Sequence, residues 1–141
     1  MRTPWGMTGD ATQTAEGVYE VSTSSHGGIM IHERMTGFLS DAARSIGEVY
    51  GEYLCFEEDC AYAAVYAEMP QLWRASVDKG VLITSAETPA DSTMEFIAAH
   101  YRNIAETWFS EAYGLPCHFC ERAKANGAGC YKHSGQLVRG S

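Results

Sequence analysis

Four residues near the end of the chain have types and a spacing that suit a metal site. Two residues separate Cys117 from Cys120, two separate Cys130 from His133, and nine lie between the pairs. Thiolates and imidazoles are usual ligands of Zn²⁺, and four protein ligands close a tetrahedral structural site. The spacing therefore predicts one structural zinc ion on these residues, with His118 able to replace one ligand. The alternative is a set of unligated thiols, because the loop between the pairs is shorter than in common zinc fingers.

A second group of reactive side chains lies in two earlier segments. His26 stands between two serines and two glycines, and Glu57, Glu58 and Asp59 come directly before Cys60. If these segments meet, they could supply a general base or a cysteine–histidine nucleophile. The alternative is structural, because glycines permit a turn and Cys60 can begin a buried apolar stripe. The sequence favours the structural interpretation, leaves catalytic residues unassigned, and marks the histidine and the three acids as a candidate functional surface.

The charge balance indicates what the protein binds. Eighteen acidic and ten basic side chains give a formal charge of -8, whose field repels phosphate backbones and favours basic partners. We therefore expect a partner protein with a basic surface. The segment after Glu121 is an exception, because it carries basic side chains and no acid. Any contact with nucleic acid is expected at its four cations: Arg122, Lys124, Lys132 and Arg139.

The composition is typical of a cytosolic globular protein. Hydrophobic residues make up 45% of the chain and charged residues 20%, as in ordinary folded domains. The longest charge-free apolar run, residues 60–67, is too short to span a bilayer, so no membrane contact is expected. Five cysteines are an odd number, which favours metal ligation over a disulfide framework. We expect a cytoplasmic location.

The first part of the chain predicts one β-hairpin. Residues 18–23 alternate apolar and polar side chains, residues 29–31 are apolar, and the turn-forming residues 24–28 lie between them. Residues 1–14 are polar and predict a loosely held arm, in which Trp5 contacts the core.

Two helices are predicted after the hairpin. Residues 33–45 carry apolar side chains at three- and four-residue spacings, and Gly47 should end this helix. Residues 57–69 begin with three acids, which favour a helix N-terminus, and stop at Pro70.

The last part of the body predicts two more helices and a third strand. Residues 72–79 predict a short helix and residues 81–85 the strand. Start signals at residues 88–93 precede the wide apolar face of a long helix over residues 94–112, which ends before Gly114.

These elements predict an α+β fold in two parts. In residues 1–114, a small antiparallel sheet built on the N-terminal hairpin is packed by three or four helices. Residues 115–141 form a zinc-knuckle-like appendage, since zinc can hold together a tail that is too small to fold alone.

Several motifs resemble those of a domain family of unknown function that occurs in proteins of phages, plasmids and other mobile elements. They are the TPWG sequence at residues 3–6, the VSTSSHGG sequence at 21–28 followed by Glu33-Arg34, the EEDC sequence at 57–60, and the ETWFSEAY sequence at 106–113. The resemblance covers residues 3–113 and implies a mobile-element context without a mechanism. The cysteine–histidine cluster lies outside it, as an addition to this protein or to a subgroup.

The expected function is therefore to bind another protein. A small acidic mobile-element protein without a clear catalytic group suits an inhibitor of a host protein, with anti-CRISPR activity as the most specific form. Two alternatives stay open. One is a zinc-containing accessory protein that binds nucleic acid, and the other is an enzyme that uses His26 and Cys60.

Overall fold

The computed structural model describes residues 2–7, 9–81 and 88–126, and for residues 123–126 it describes the backbone alone. Within these ranges the chain forms strands, α-helices and two short 3₁₀-helices. The strands are β1 (Arg2–Thr3), β2 (Gly6–Met7), β3 (Asp10–Ala15), β4 (Val18–Ser22), β5 (Gly27–His32), β6 (Glu48–Tyr50) and β7 (Tyr53–Glu57). The α-helices are α1 (Asp41–Ile46), α2 (Tyr62–Glu68), α3 (Pro70–Asp78), α4 (Met94–Trp108) and α5 (His118–Asn126), and the 3₁₀-helices are Glu33–Phe38 and Ser110–Tyr113.

Five strands form one antiparallel sheet in the order β3-β4-β5-β7-β6, and β1 pairs with β2 in a separate hairpin. The pairing of β5 with β7 places Gly28 opposite Glu57. Because side chains alternate between the faces of a sheet, one face joins the main core under the helices. The other face carries a smaller apolar cluster of Val21, Met30 and Cys55.

The main core lies between the sheet and α2, which packs on α4. Ala63 and Ala64 are fully buried, and such small side chains let neighbouring elements approach the helix closely. Three tyrosines fill the space between α2 and α4 with edge-to-face contacts. The ring centroids of Tyr62, Tyr66 and Tyr101 lie 5.7, 5.6 and 5.2 Å apart, a spacing that favours aromatic attraction.

The structure confirms the mixed α+β class and several of the predicted elements. The predicted hairpin is β4 and β5, the short helix is α3, and the long helix is α4 followed by the 3₁₀-helix before Gly114. The strand predicted at residues 81–85 lies, apart from its first residue, outside the described residues. No helix of the described part has both the length and the apolar character needed to cross a membrane.

The expectation of a loose N-terminal arm is wrong for its second half. Residues Asp10–Ala15 form β3 and pair with β4. This strand has no clear sequence signal because it lies at the sheet edge with no buried side chain, so backbone pairing defines it rather than apolar alternation. The expected role of Trp5 is confirmed, because its ring packs against Val21, Met30 and Cys55.

The helix predicted over residues 57–69 begins later than expected. Glu57 is the last residue of β7, a turn follows, and α2 begins at Tyr62. The three acids therefore end a strand and form a turn instead of beginning a helix. Pro70 does more than end α2, because it occupies the first turn of α3, where its fixed φ and missing N–H are tolerated.

The helix predicted over residues 33–45 is divided into a 3₁₀-helix and α1. The division lies at Ser40, whose extended backbone breaks the helix and whose hydroxyl accepts a hydrogen bond from the Ala43 N–H at 3.1 Å. The Ser40 N–H donates to the Glu68 carboxylate at 2.7 Å. This contact with α2 comes from a distant part of the chain, so helical spacing within one segment did not reveal it.

Candidate functional site

The structure brings the two reactive segments to the same end of the sheet. Gly28 lies opposite Glu57 in the β5–β7 pair, and the Glu58 N–H donates to the Gly27 carbonyl at 3.0 Å. The turn that holds His26 therefore lies beside the acids. Glu48 joins them from β6, because it pairs with Cys55, two residues before Glu57 on the same face of β7.

We call Glu48, Glu57, Glu58 and Asp59 the acidic end. No lysine or arginine of the described chain forms an ion pair with any of the four carboxylates. Burial raises the pKa of Glu57, and the neighbouring carboxylates of Asp59, Glu48 and Glu58 raise it further, while His26 acts in the opposite direction. The described part of the chain therefore concentrates negative charge without a lysine or arginine partner at one place.

The turn that holds His26 is fixed by hydrogen bonds from the backbone and the side chain of Thr23. The His26 carbonyl accepts from the Thr23 hydroxyl at 2.6 Å and from the Thr23 N–H at 2.8 Å. The imidazole is exposed. Glycine is required at position 28, because a Cβ there would lie 2.2 Å from the Phe56 carbonyl oxygen and 2.6 Å from the Trp5 ring. The predicted turn is present, and the close approach of the strands at Gly28 is a further feature that was not predicted.

A cavity of about 140 Å³ lies behind the acidic end. Its walls include Trp5, Glu48, Glu57 and the Cys55 thiol. Burial raises the pKa of Cys55 to about 12, and Glu48 contributes to the increase. Because the thiolate is the nucleophile, this cysteine is inert at neutral pH.

Cys60 lies in the turn between β7 and α2 and is half-buried. Its carbonyl accepts from the Ala63 N–H at 3.2 Å in the first turn of α2. Across the described residues, histidine, cysteine and carboxylate side chains form no group of three that could hold a metal ion. At the acidic end, Glu57 and Asp59 are exposed.

Sequence reasoning missed Glu48 as a neighbour of these acids. Its position depends on the β6–β7 hairpin, which was not predicted. A signal was present, because Gly51 and Glu52 form a two-residue turn between segments rich in valine, tyrosine and phenylalanine.

A family model described as Domain of unknown function (DUF7007) matches residues 1–126. The chain belongs to the DUF7007 family. No curated protein and no solved structure gives a significant match. The resemblance to a family of unknown function over residues 3–113 is thus confirmed, and the family match is longer at both ends.

The DUF7007 match includes one of the two predicted ligand pairs. Cys117 and Cys120 lie within it, and Cys130 and His133 lie beyond its end and outside the described residues. The Cys117 carbonyl accepts from the Glu121 N–H at 3.1 Å, so both described cysteines lie at the start of α5. The zinc site on the four predicted ligands therefore stays a prediction.

The start of α5 is held against the body of this DUF7007 protein. The Phe119 ring packs on Trp108 with the centroids 5.2 Å apart. The His118 N–H donates to the Ser110 hydroxyl at 3.2 Å. These contacts fix where the first ligand pair lies relative to α4.

A further carboxyl group that the sequence did not single out is Glu20 on β4. It is buried, and its two oxygens accept hydrogen bonds from the hydroxyls of Tyr66 and Ser76. Burial raises the pKa of Glu20, and the two hydrogen bonds oppose this increase. A cavity of about 400 Å³ beside it is also lined by Asp10 and Glu58.

Proposed function

We propose that this DUF7007 protein is a non-enzymatic binding protein that docks its acidic end on a basic surface of a partner protein and inhibits that partner. The observation that carries the proposal is the group of four carboxylates without a cationic partner in the described chain. Like charges at close range cost free energy in the isolated protein, and a basic surface removes that cost on binding. The chain's net charge of -8 acts in the same direction by steering basic partners toward it.

The partner in this proposal is a host protein in the cytoplasm. The motifs that resemble proteins of phages, plasmids and other mobile elements support a protein that acts on its host. Host defence proteins that handle nucleic acid carry basic surfaces, and an acidic protein can cover such a surface by imitating its ligand's charge. Inhibition of host defence, with anti-CRISPR activity as the most specific form, follows from this reasoning.

The proposal is tested by capture from host lysate with two charge-matched variants. Glu57→Lys with Asp59→Lys reverses two exposed acids of the acidic end, and Glu16→Lys with Asp78→Lys reverses two exposed acids that do not belong to it. Glu16 follows β3 and so lies at the opposite end of the sheet. We expect mass spectrometry to identify a protein that wild type and the second variant retain and the first variant loses.

Equal capture by both variants would contradict the proposal, because their net charges are the same. Loss in both variants would show that net charge alone decides binding, which also contradicts a localised acidic surface. The captured protein's own activity, measured with and without the DUF7007 protein, then tests inhibition.

One observation favours a second candidate function, an enzyme. His26 and Glu57 lie at the same end of the sheet. Cys60 comes three residues after Glu57, in the turn between β7 and α2. In this alternative His26 is the base and Cys60 the nucleophile. His26→Ala would then abolish an activity while leaving the fold intact, and Thr23→Ala, which removes a hydrogen bond that fixes the turn, would only reduce it.

The third alternative uses the basic tail. Arg122, Lys124, Lys132 and Arg139 would contact phosphates, with zinc holding the tail together. Binding of DNA or RNA that weakens steeply with salt identifies this function.

A further inference from the structure

Within the described residues, the five-stranded sheet has one covered edge and one open edge. At the β3 edge, α3 packs beside the strand and the Lys79 ammonium donates to the Gln13 carbonyl. At the β6 edge, Val49 is 80% exposed. An open edge presents backbone groups that can pair with another chain.

The register of the β6–β7 hairpin determines which backbone groups are available at the open edge. Tyr50 pairs with Tyr53 across a two-residue turn in which Gly51 has a φ of 60°. The residues that flank such a turn form a hydrogen-bonded pair, and the pattern alternates along the strand. Val49 therefore occupies a position whose N–H and C=O point away from β7, and these groups make no hydrogen bond within the described part of the chain.

A groove of about 290 Å³ lies beside this edge, on the helical side of the sheet. Its floor is formed by Val49 and Leu54, which pair across the hairpin and share this face of the sheet, and its rim carries the carboxylates of Glu33 and Glu52. Directly opposite residues in an antiparallel pair point to the same face. A residue placed opposite Val49 on an added strand would therefore extend into the groove.

The only cation that lines the groove in the described chain is Arg44, and its hydrogen bonds and ion pair go to residues 36–41 of its own segment. It donates to the Leu39 carbonyl at 2.8 Å and forms an ion pair with Asp41. Arg44 forms no ion pair with the rim carboxylates of Glu33 or Glu52. In the described part of the chain, the ion pair of these two carboxylates is that of Glu52 with His32, whose Nε2 lies 3.4 Å from the Glu52 carboxylate.

We propose that an extended segment of the partner adds to β6 as a sixth strand, with a lysine or arginine side chain opposite Val49. The aliphatic stem of that side chain lies on the apolar floor, and its cationic end lies between Glu33 and Glu52. Backbone hydrogen bonds give affinity and the groove gives specificity, as in other cases of strand addition. This inference rests on the proposed function, because it assumes that the partner is basic.

Charge argues against a second copy of the chain as the occupant. Each copy carries a net charge of -8, and Glu48 and Glu52 flank Val49 on either side along the chain. Pairing two β6 edges would bring these acids together, and like charges across a strand pair are destabilising. A segment with alternating cations and apolar residues has the complementary character.

The test uses a synthetic peptide of about six residues, the usual length of a strand. It alternates valine and threonine around a central lysine and has blocked termini, and a control peptide carries glutamate in place of the lysine. Both are titrated into the full chain while NMR follows hydrogen exchange of the Val49 amide. We expect the lysine peptide to slow this exchange by about tenfold or more, as a new hydrogen bond would, and the glutamate peptide to have no effect.

Two variants separate strand addition from general attraction of charge. Val49→Pro removes the outward donor without removing a bond to β7, and proline is tolerated on edge strands for this reason. We expect it to weaken binding of the lysine peptide by about tenfold, the value of one hydrogen bond. Val49→Thr keeps the donor and should bind as the wild type does. The double variant Glu33→Gln with Glu52→Gln should also bind the lysine peptide more weakly. This result does not depend on whether Val49→Pro folds correctly.

Several results would overturn the strand addition. They are equal binding of the two peptides, unchanged affinity in both Val49→Pro and the glutamine variant, absence of any binding, or a dimer of the protein that Val49→Pro abolishes. Capture of the host protein that depends on Glu57 and Asp59 but is unaffected by Val49→Pro would also overturn it. That last result leaves the proposed function standing, so the two claims fail separately.

Discussion

Glu20 shows what a single buried carboxyl group contributes to this protein. The folded chain places it in the core against Tyr66 and Ser76, without a cationic partner among the described residues, and burial raises its pKa above the ordinary value of 4.5. Between its ordinary pKa and its raised pKa, the folded state binds more protons than the unfolded state. The free energy of unfolding therefore falls as pH rises through that window and is then constant with respect to this group.

We expect Glu20→Gln to gain stability relative to the wild type as pH rises above about 4.5. Glutamine is neutral and can still accept from one hydroxyl and donate to the other. Urea unfolding at a series of pH values measures the difference. A difference that does not change with pH would contradict the assignment.

Glu20→Leu serves as the control for that experiment. It removes the charge but leaves the Tyr66 and Ser76 hydroxyls without an acceptor in the core. The cost is about 1–3 kcal/mol for each unsatisfied group, so this variant should be less stable than the wild type at every pH. The pair of variants separates charge burial from hydrogen bonding.

At the scale of elements, the connection between α4 and α5 decides where the predicted zinc site lies. Trp108 and Phe119 hold the start of α5, and Cys117 and Cys120 lie there. The second ligand pair, Cys130 and His133, completes the site in our prediction. Zinc would then fix the end of the chain to a helix that the body already holds in place.

We expect one zinc ion per purified chain, measured by elemental analysis. Cys120→Ser removes one ligand, so the tail should become sensitive to proteases while the body before Gly114 keeps its helical circular dichroism. Cys55→Ser provides a matched control, because Cys55 is buried beneath Trp5 and lies outside the predicted ligand set. Absence of stoichiometric metal, or loss of helical signal throughout the chain in Cys120→Ser, would contradict this division of the protein.

At the scale of the whole molecule, the proposed docking on a basic partner depends on the excess of acids. A net charge of -8 acts over a distance set by the Debye length, which is about 10 Å at 0.1 M salt and about 3 Å at 1 M. Screening therefore slows the association of oppositely charged proteins more than it speeds their dissociation.

Once a partner is identified, we expect its association rate to fall by roughly tenfold or more over this range of salt. Stopped-flow or surface binding kinetics measures the rate. Glu57→Lys with Asp59→Lys should lower the rate at low salt, whereas Lys124→Gln with Lys132→Gln should change it little. The nucleic-acid alternative expects the reverse ranking, and a rate that is indifferent to salt would contradict the electrostatic account.

The sequence by itself determined the features that depend on neighbours along the chain. The β4–β5 hairpin, α3 and α4 follow from alternation, helical spacing and capping residues, all of which operate within a few residues. The acid content, the paired cysteine spacing and the family motifs are likewise properties of the chain alone. These features are sufficient to predict the α+β class and to favour a basic partner.

Only the tertiary structure decided the features that depend on distant pairing. The β5–β7 pair brings His26 beside Glu57, and β3 is a strand because β4 hydrogen-bonds to it, not because of its own side chains. Val49 lies at a sheet edge because the strand order places the other four strands on one side of β6. Local signals cannot specify such pairings, because strand partners are chosen by burial and backbone hydrogen bonding across the whole sheet.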